Sequence, residues 1–311
     1  MNLSGKKILV TGGAGFIGSH LVDALVSAGA KVSIVDNLST GKKENINKKA
    51  VFYKLDINSK KIDYVFRREN PEYVFLLAFN TNVPKAVRSP LFDVRSLVGN
   101  LNVIEKCHLY KIKKVIFASS GFVYGNTEIF PTLETENVIP DNPYIISKFA
   151  VENYLQFYNK AYNLDYVILR YSTVYGPRQV GGAMADYIRS LYAGNNAIIY
   201  GDGNKTRDYV YVGDVVRANL KSIDFKFKKK VLPIFNIGTS KETTLNRLYF
   251  KIGSLLKSSN CHPIYKMDRP GELIRFCISY KKAGKYLNWK PKVKLDRGLK
   301  DTLNHYIHVH K

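Results

Sequence analysis

Three times in this chain a tyrosine precedes a lysine by four residues: Tyr110 and Lys114, Tyr144 and Lys148, and Tyr286 and Lys290. An ammonium beside a phenol favours the phenolate, so such a pair can take a proton from a substrate hydroxyl or return one. The chemistry needs both groups on one face, beside a reacting oxygen. Spacing alone does not separate the three pairs.

Their surroundings do. Tyr110 and Lys114 straddle the end of a helical pattern (91 to 110) and the start of the strand "KKVIFASS". Tyr286 and Lys290 run into "WKPKV", where Trp289 and Pro291 read as a surface turn. Tyr144 and Lys148 follow Asn142 and Pro143, a helix start, and their spacing puts both on one helical face. The strand before that helix ends in Ser119 and Ser120, and open α/β sheets bind ligands at the carboxyl ends of their strands. Ser120 can hydrogen-bond the reacting oxygen and shuttle its proton. The candidate catalytic set is therefore Ser120, Tyr144 and Lys148.

The elements that must position this set alternate. Short β-rich runs ("KKILVTG", "KVSIVD", "AVFYKLD", "EYVFLLA", "KKVIFASS") are separated by helical patterns at 16 to 28, 61 to 69 and 91 to 110, and a helix from 144 to about 162 leads into "YVILRYSTVYG". Such alternation predicts a doubly wound α/β fold with a mainly parallel sheet. After residue 172 the pattern loses regularity, which predicts a second, smaller lobe.

"TGGAGFIGSH" (11 to 20) lies between the first strand and the first helix, with Gly12, Gly15 and Gly18 spaced three apart. Glycine there permits a tight turn and lets backbone amides approach a pyrophosphate. Eighteen residues beyond Gly18, Asp36 ends the strand "KVSIVD". A carboxylate at that place accepts from ribose hydroxyls and repels a 2'-phosphate, so NAD is expected over NADP.

Composition bounds the partners. The net charge of +23 raises a nucleic-acid or anionic-membrane reading, but the lysines are scattered, with only short clusters such as "FKFKKK" (225 to 230). A basic solvated surface is expected, with nucleic acid unlikely and a non-catalytic RNA-binding protein a remote alternative. No apolar run approaches the ~20 residues that cross a bilayer and no signal-peptide pattern opens the chain, so a soluble, cytoplasmic protein is expected. Cys107, Cys261 and Cys277 have unrelated spacings and are expected to be reduced. His305, His308 and His310 read as a fraying helix end, and no metal is expected.

Taken in order, "TGGAGFIGSH", "DNLSTG", "LDI", "SSGFVYG", "PYIISK", "LRYSTVYGPRQ", "GDGNKTRDYVYVGDVVRA" and "RPGE" with "LNWKPKV" resemble the extended short-chain dehydrogenase/reductase superfamily. The resemblance is specifically to NAD-dependent nucleotide-sugar epimerases of the UDP-glucose (UDP-galactose) 4-epimerase type. It implies a Rossmann domain over 1–171 with returns near 209–238, and a nucleotide-sugar lobe from 172–208 and 239–311. The implied sheet has seven strands, with "YVYVGDVV" and "PIFNIG" returning to the first domain. A homodimer packed through helices 91 to 110 and 144 to 162 is implied as well.

By the same resemblance, cofactor contacts come from Gly12, Gly15, Phe16, Ile17, Asp36, Asn37, Asp56, Ile57, Leu77, Ala78, Tyr144, Lys148 and Tyr171. The UDP-sugar is held by Ser120, Thr173, Met184, Ile198, Tyr200, Arg207, Tyr209, Arg269, Glu272 and Phe276. Two arginines suit a diphosphate. The implied reaction removes the sugar O4 proton to Tyr144 while the C4 hydride passes to NAD, and the 4-keto sugar turns over before hydride returns. Dehydratases and decarboxylases of the superfamily carry an acid after the catalytic Ser/Thr; here Gly121, Phe122 and Val123 follow Ser120, which favours epimerisation. A uronic-acid epimerase, decarboxylase or dehydratase is the alternative. The usual "HLAA" is "LLAF" (76 to 79), a usual asparagine is Ser96, and Thr173 replaces another, a variant seen in some uronic-acid epimerases. Phe276 aligns where bulk favours UDP-glucose and UDP-galactose over N-acetyl forms.

Overall fold

The computed structural model describes residues 2–227, 231–258, 261–268 and 272–309. The chain runs through β1 (Lys7–Thr11), β2 (Lys31–Asp36), β3 (Val51–Lys54), β4 (Tyr73–Leu76), β5 (Lys114–Ser120) and β6 (Tyr166–Tyr171). Short strands β7 (Thr173–Tyr175), β8 (Ile198–Tyr200), β9 (Thr206–Arg207) and β10 (Tyr209–Tyr211) follow, then β11 (Ile234–Ile237). Seven of these form one sheet in the order β11-β6-β5-β4-β1-β2-β3, and every pairing in it is parallel. The sequence pattern predicts a mainly parallel sheet; this one is wholly so.

Alternate side chains of the strands feed two cores. On one face Val10, Ile34 and Ile116 pack with Leu21 and Leu25 of α1 (Phe16–Ser27) and Val215 of α7 (Val212–Ile223). On the other, Leu9, Val35 and Val115 pack with Phe66 of α2 (Ile62–Glu69), Val103 of α4 (Pro90–Leu109) and Val151 of α5 (Pro143–Tyr162). Short α3 (Val83–Arg88) leads into α4. All seven residues of β5 are buried, as expected of a strand covered on both faces.

The smaller lobe has its own core, in which Met184 and Tyr187 of α6 (Ala183–Tyr192) meet Leu248 and Tyr249 of α8 (Leu245–Leu256) and Leu299 of α10 (Leu295–Val309). Strand β7 pairs with β10, β12 (Thr243–Thr244) with β9, and β13 (Ile264–Lys266) with β8. Two expectations change in detail. The strand within "YVYVGDVV" pairs with β7 and not with the main sheet, so the return to the first layer is made by α7 and β11. Trp289 is 1% exposed rather than in a surface turn, because the segment after α9 (Lys281–Leu287) folds onto α7: Asp214 accepts Trp289 Nε1 through its carbonyl and the Lys292 and Val293 amides through Oδ2.

The strand order reverses between β1 and β4, and the loops leaving those two strands diverge. This is the crevice where doubly wound sheets bind ligands. Among the described residues no helix is long and apolar enough to cross a membrane.

Candidate active site

The loop between β1 and α1 is shaped by what cannot fit in it. Gly12 has φ +72, and a Cβ there would sit 2.7 Å from the Ala78 amide nitrogen. A Cβ on Gly18 would lie 2.1 Å from the Gly12 carbonyl oxygen, so α1 approaches the loop only with glycine in its first turn. Gly15 is the N-cap, no side chain caps the helix, and no acidic residue occupies the first turn. The first-turn amides of Phe16 and Ile17 are thus left to bind an anion.

Asp36, at the end of β2, is 8% exposed. Its Oδ2 accepts the Ala14 amide (3.0 Å) and its Oδ1 the Leu38 amide (2.8 Å), leaving carboxylate lone pairs for a ribose diol. Asn37 donates to Asp56 (3.0 Å), and Asn58 donates to it twice. Burial raises the Asp56 carboxyl, but these bonds outweigh it and hold it below the ordinary carboxylate range. Ile57 is buried beside Gly99. At the end of β4, Thr11 Oγ1 accepts the amides of Leu77 and Ala78 (both 3.3 Å). Asn100 Oδ1 and Asn80 Nδ2 are buried here without a hydrogen-bond partner, as polar groups awaiting a ligand would be. The glycine cradle, the acid at the end of β2 and these orphan amides together fit a dinucleotide.

Only one tyrosine–lysine pair reaches this crevice. Tyr110 caps α4 and donates to Asp63, while Lys114 opens β5 and donates to the carbonyls of Ile223 and Phe225. Tyr286 lies in α9, and Lys290 lies past that helix's end at Asn288. Tyr144 and Lys148 share one face of α5, whose N-cap Asn142 accepts the Ile145 amide (3.1 Å). Lys148 is 4% exposed and donates to the Ala118 carbonyl of β5 at 2.6 Å. Burial pushes the Lys148 ammonium down to about 7, opposed by the carboxylates of Asp93 and Glu152. Burial and the Asp93 charge raise the Tyr144 phenol above its ordinary value. Ser120, 6% exposed at the end of β5, accepts the Phe122 amide (3.2 Å) and keeps its own proton to donate.

The lobe supplies the other wall. Phe276 is 3% exposed and stacks on Phe122, two residues past Ser120, with ring centroids 4.1 Å apart. Thr173 Oγ1 is buried without a partner at the start of β7. Arg207 on β9 donates to the carbonyls of Thr206 and Leu273, and Glu272 accepts from buried Lys205 (3.1 Å). Ile198 and Tyr200 bound β8, and Tyr209 is buried on β10. Two side chains expected at the ligand are engaged elsewhere. Met184 lies in the lobe core, and the Tyr171 hydroxyl is bonded to Asn219. Arg269 lies outside the described residues, as do His310 and the lysines at 228–230. Among the described residues no three His, Cys, Asp or Glu are grouped to hold a metal ion.

The sequence profile of the "NAD dependent epimerase/dehydratase family" matches residues 8–238. The chain belongs to this family. Three solved structures resemble this family member over nearly its whole length. UDP-glucose 4-epimerase from Thermotoga maritima, solved with UDP-glucose, is 43% identical with a TM-score of 0.94, over 98% of this chain and 99% of that one. UDP-N-acetylglucosamine 4-epimerase from Methanobrevibacter ruminantium, in complex with UDP-N-acetylmuramic acid, is 34% identical with a TM-score of 0.92, over 98% and 99%. UDP-glucose 4-epimerase from Thermus thermophilus, in complex with NAD, is 35% identical with a TM-score of 0.89, over 96% and 98%. The fold is thus the NAD-binding Rossmann fold of the epimerase/dehydratase family.

Some groups at the site of this epimerase/dehydratase-family protein carry little signal in the sequence. Glu152 could have been found, since it follows Lys148 by four residues on the same face of α5. Asp93 and Lys205 offer no periodic cue. Asp93 becomes visible only when α4 packs on α5, where its carboxylate is buried and raised by that burial, with Ser147 and Lys148 opposing.

Proposed function

We propose that this protein binds NAD and interconverts UDP-hexoses at C4, with UDP-glucose and UDP-galactose as its pair. The observation that carries the proposal is the placement of Tyr144 and Lys148 with Ser120 at the carboxyl end of β5. The chain bearing them is 43% identical to an epimerase solved with UDP-glucose.

In this reading the amides of Phe16 and Ile17 hold the pyrophosphate, Asp36 the adenosine ribose, and Asn37, Asp56 and Ile57 border the adenine. Leu77, Ala78 and the backbone of Tyr171 border the nicotinamide, and Lys148 and Tyr144 its ribose. When bound, NAD supplies a reversible hydride acceptor beside the sugar carbon. Tyr144 takes the proton of the sugar hydroxyl, its phenolate favoured by the Lys148 ammonium, and later gives it back. Ser120 donates a hydrogen bond to the oxygen as it becomes a ketone. Arg207 faces the diphosphate, Arg269 is assigned to it from the sequence alone, and Glu272 takes the uridine ribose and Ile198, Tyr200 and Tyr209 the uracil end. Thr173 and Phe276 bound the sugar. Gly121, Phe122 and Val123 after Ser120 carry no carboxylate to deprotonate carbon, which favours epimerisation over dehydration.

Exposed Val94, Val98, Ile146 and Phe157 on α4 and α5 support a homodimer through these two helices. Three free cysteines accord with a cytoplasmic protein. The deciding experiment incubates purified protein with UDP-galactose, UDP-N-acetylgalactosamine and UDP-glucuronate and resolves the products by chromatography and mass. Conversion of UDP-galactose to an isomer of unchanged mass is expected. Loss of water or carbon dioxide from any of the three would overturn the assignment.

A further inference from the structure

The Lys148 ammonium is held in an unusual way for a buried cation. The hydrogen-bond acceptor that it meets is the neutral carbonyl of Ala118, at 2.6 Å. Three aromatic rings also lie around it. Nζ lies 3.9 Å from the centroid of Phe79, 4.8 Å from Phe117 and 5.8 Å from Tyr144.

Two carboxylates face it, and neither takes it as a direct ion pair. Asp93 of α4 is fully buried, with Ser147 of α5 as the polar side chain that steadies its carboxylate. Glu152 of α5 is shared by Arg170 of β6 and Ser119 of β5. Tyr144 is the other titratable group at the same spot. The ring of Phe79 contacts both members of the pair: it turns its face to the ammonium and lies perpendicular to the phenol, with centroids 5.6 Å apart and planes at 87°. Its backbone is anchored on both sides, since the Ala78 carbonyl accepts from Asn100 (3.0 Å) and the Asn80 amide donates to Ser96 (3.0 Å). An aromatic face attracts a cation most where water is excluded.

We propose that Phe79 is a positioning residue for the proposed proton transfer: its ring face keeps Lys148 a cation, and its perpendicular packing fixes the Tyr144 phenol beside it. The idea rests on Tyr144 and Lys148 being the acid/base pair, but its test reads Lys148 directly. The purified full-length protein is labelled with carbon-13 at the lysine Cε, Lys148 is assigned by its loss in Lys148→Arg, and its titration is followed by NMR beside the pH profile of kcat. In Phe79→Leu, Lys148 titrates about one pH unit lower than in the parent, a tenfold change in protonation that matches the loss of a desolvated cation–π contact. The alkaline limb of kcat moves down with it, and Phe79→Tyr or Phe79→Trp restores both. Trifluorophenylalanine at position 79 keeps the shape but depletes the ring face, so it shifts the titration as leucine does without disturbing folding. A Lys148 titration unchanged in the leucine and trifluorophenylalanine proteins would overturn the proposal, whatever happens to the rate. A shifted titration in a protein that turns over no nucleotide sugar would uphold the role of Phe79 and defeat only the assigned reaction.

Discussion

Glu152 of α5 and Arg170 of β6 meet in a two-pronged ion pair, Nη2 to Oε2 at 2.6 Å and Nε to Oε1 at 3.1 Å, with side chains 0% and 4% exposed. The pair lies one turn beyond Lys148 on the same helix face and also engages Ser119, one residue before Ser120. It therefore fixes the register of the helix that carries Tyr144 against the strands that carry Ser120. Breaking a buried pair from one side strands a charge, so Glu152→Gln is expected to lower stability by about 3–5 kcal/mol. Urea denaturation measures it; a loss below about 1 kcal/mol would place the helix under other control.

Tyr144→Phe keeps the ring against Phe79 but removes the hydroxyl proposed to exchange the proton. Turnover is expected to fall by about 10²–10⁴-fold while bound NAD is retained. Product chromatography and the absorbance of released cofactor read the two outcomes separately. Normal turnover in this variant would remove Tyr144 from the mechanism.

Gly18→Ala places a methyl where 2.1 Å separates it from the Gly12 carbonyl oxygen. The backbone has to shift, at a cost of about 1–3 kcal/mol, and the amides of the first turn move with it. The purified variant is expected to carry less NAD and to melt earlier; full occupancy at an unchanged midpoint would contradict the close approach.

Phe276→Ala removes a ring stacked on Phe122 beside the sugar wall. A larger substituent then fits, and the ratio of kcat/KM for UDP-N-acetylgalactosamine over UDP-galactose is expected to rise ~10–100-fold. An unchanged ratio would move the size filter to another residue.

Lys148 gives a stability prediction with a definite sign. Its folded value is lowered to about 7, against an ordinary value of about 10.4 in an unfolded chain. Between those values the unfolded chain binds the extra proton, so stability rises with pH; below 7 both states are protonated and the cost of burying the cation is carried in full. Lys148→Met is therefore expected to stabilise the protein most near pH 6, by about 2–4 kcal/mol, with the gain closing toward pH 10. The comparison belongs in an Asp93→Asn background, so that the neighbouring carboxylate does not titrate in the same experiment. A gain that grew with pH would mean that the ammonium is a net stabiliser here.

The sequence by itself determined the layered architecture, because it is written in local periodicities. The expected helices at 16 to 28, 61 to 69, 91 to 110 and 144 to 162 correspond to α1, α2, α4 and α5, each within a residue at either end. The glycine triplet and Asp36 were equally legible, since backbone freedom and a strand-end carboxylate are properties of residue type and position.

Only the tertiary structure decided what each buried polar group does. Three tyrosine–lysine pairs look alike along the chain, and packing sends Lys114 to the end of α7, leaves Lys290 outside its helix, and brings Lys148 against β5. Asp93 and Phe79 reach Lys148 from elements far away in sequence, and Trp289 is buried because a distant helix accepts its N–H. Local pattern records which face of an element is apolar. It does not record which charge, ring or carbonyl a different element will place opposite that face, and those pairings set the protonation chemistry of the site.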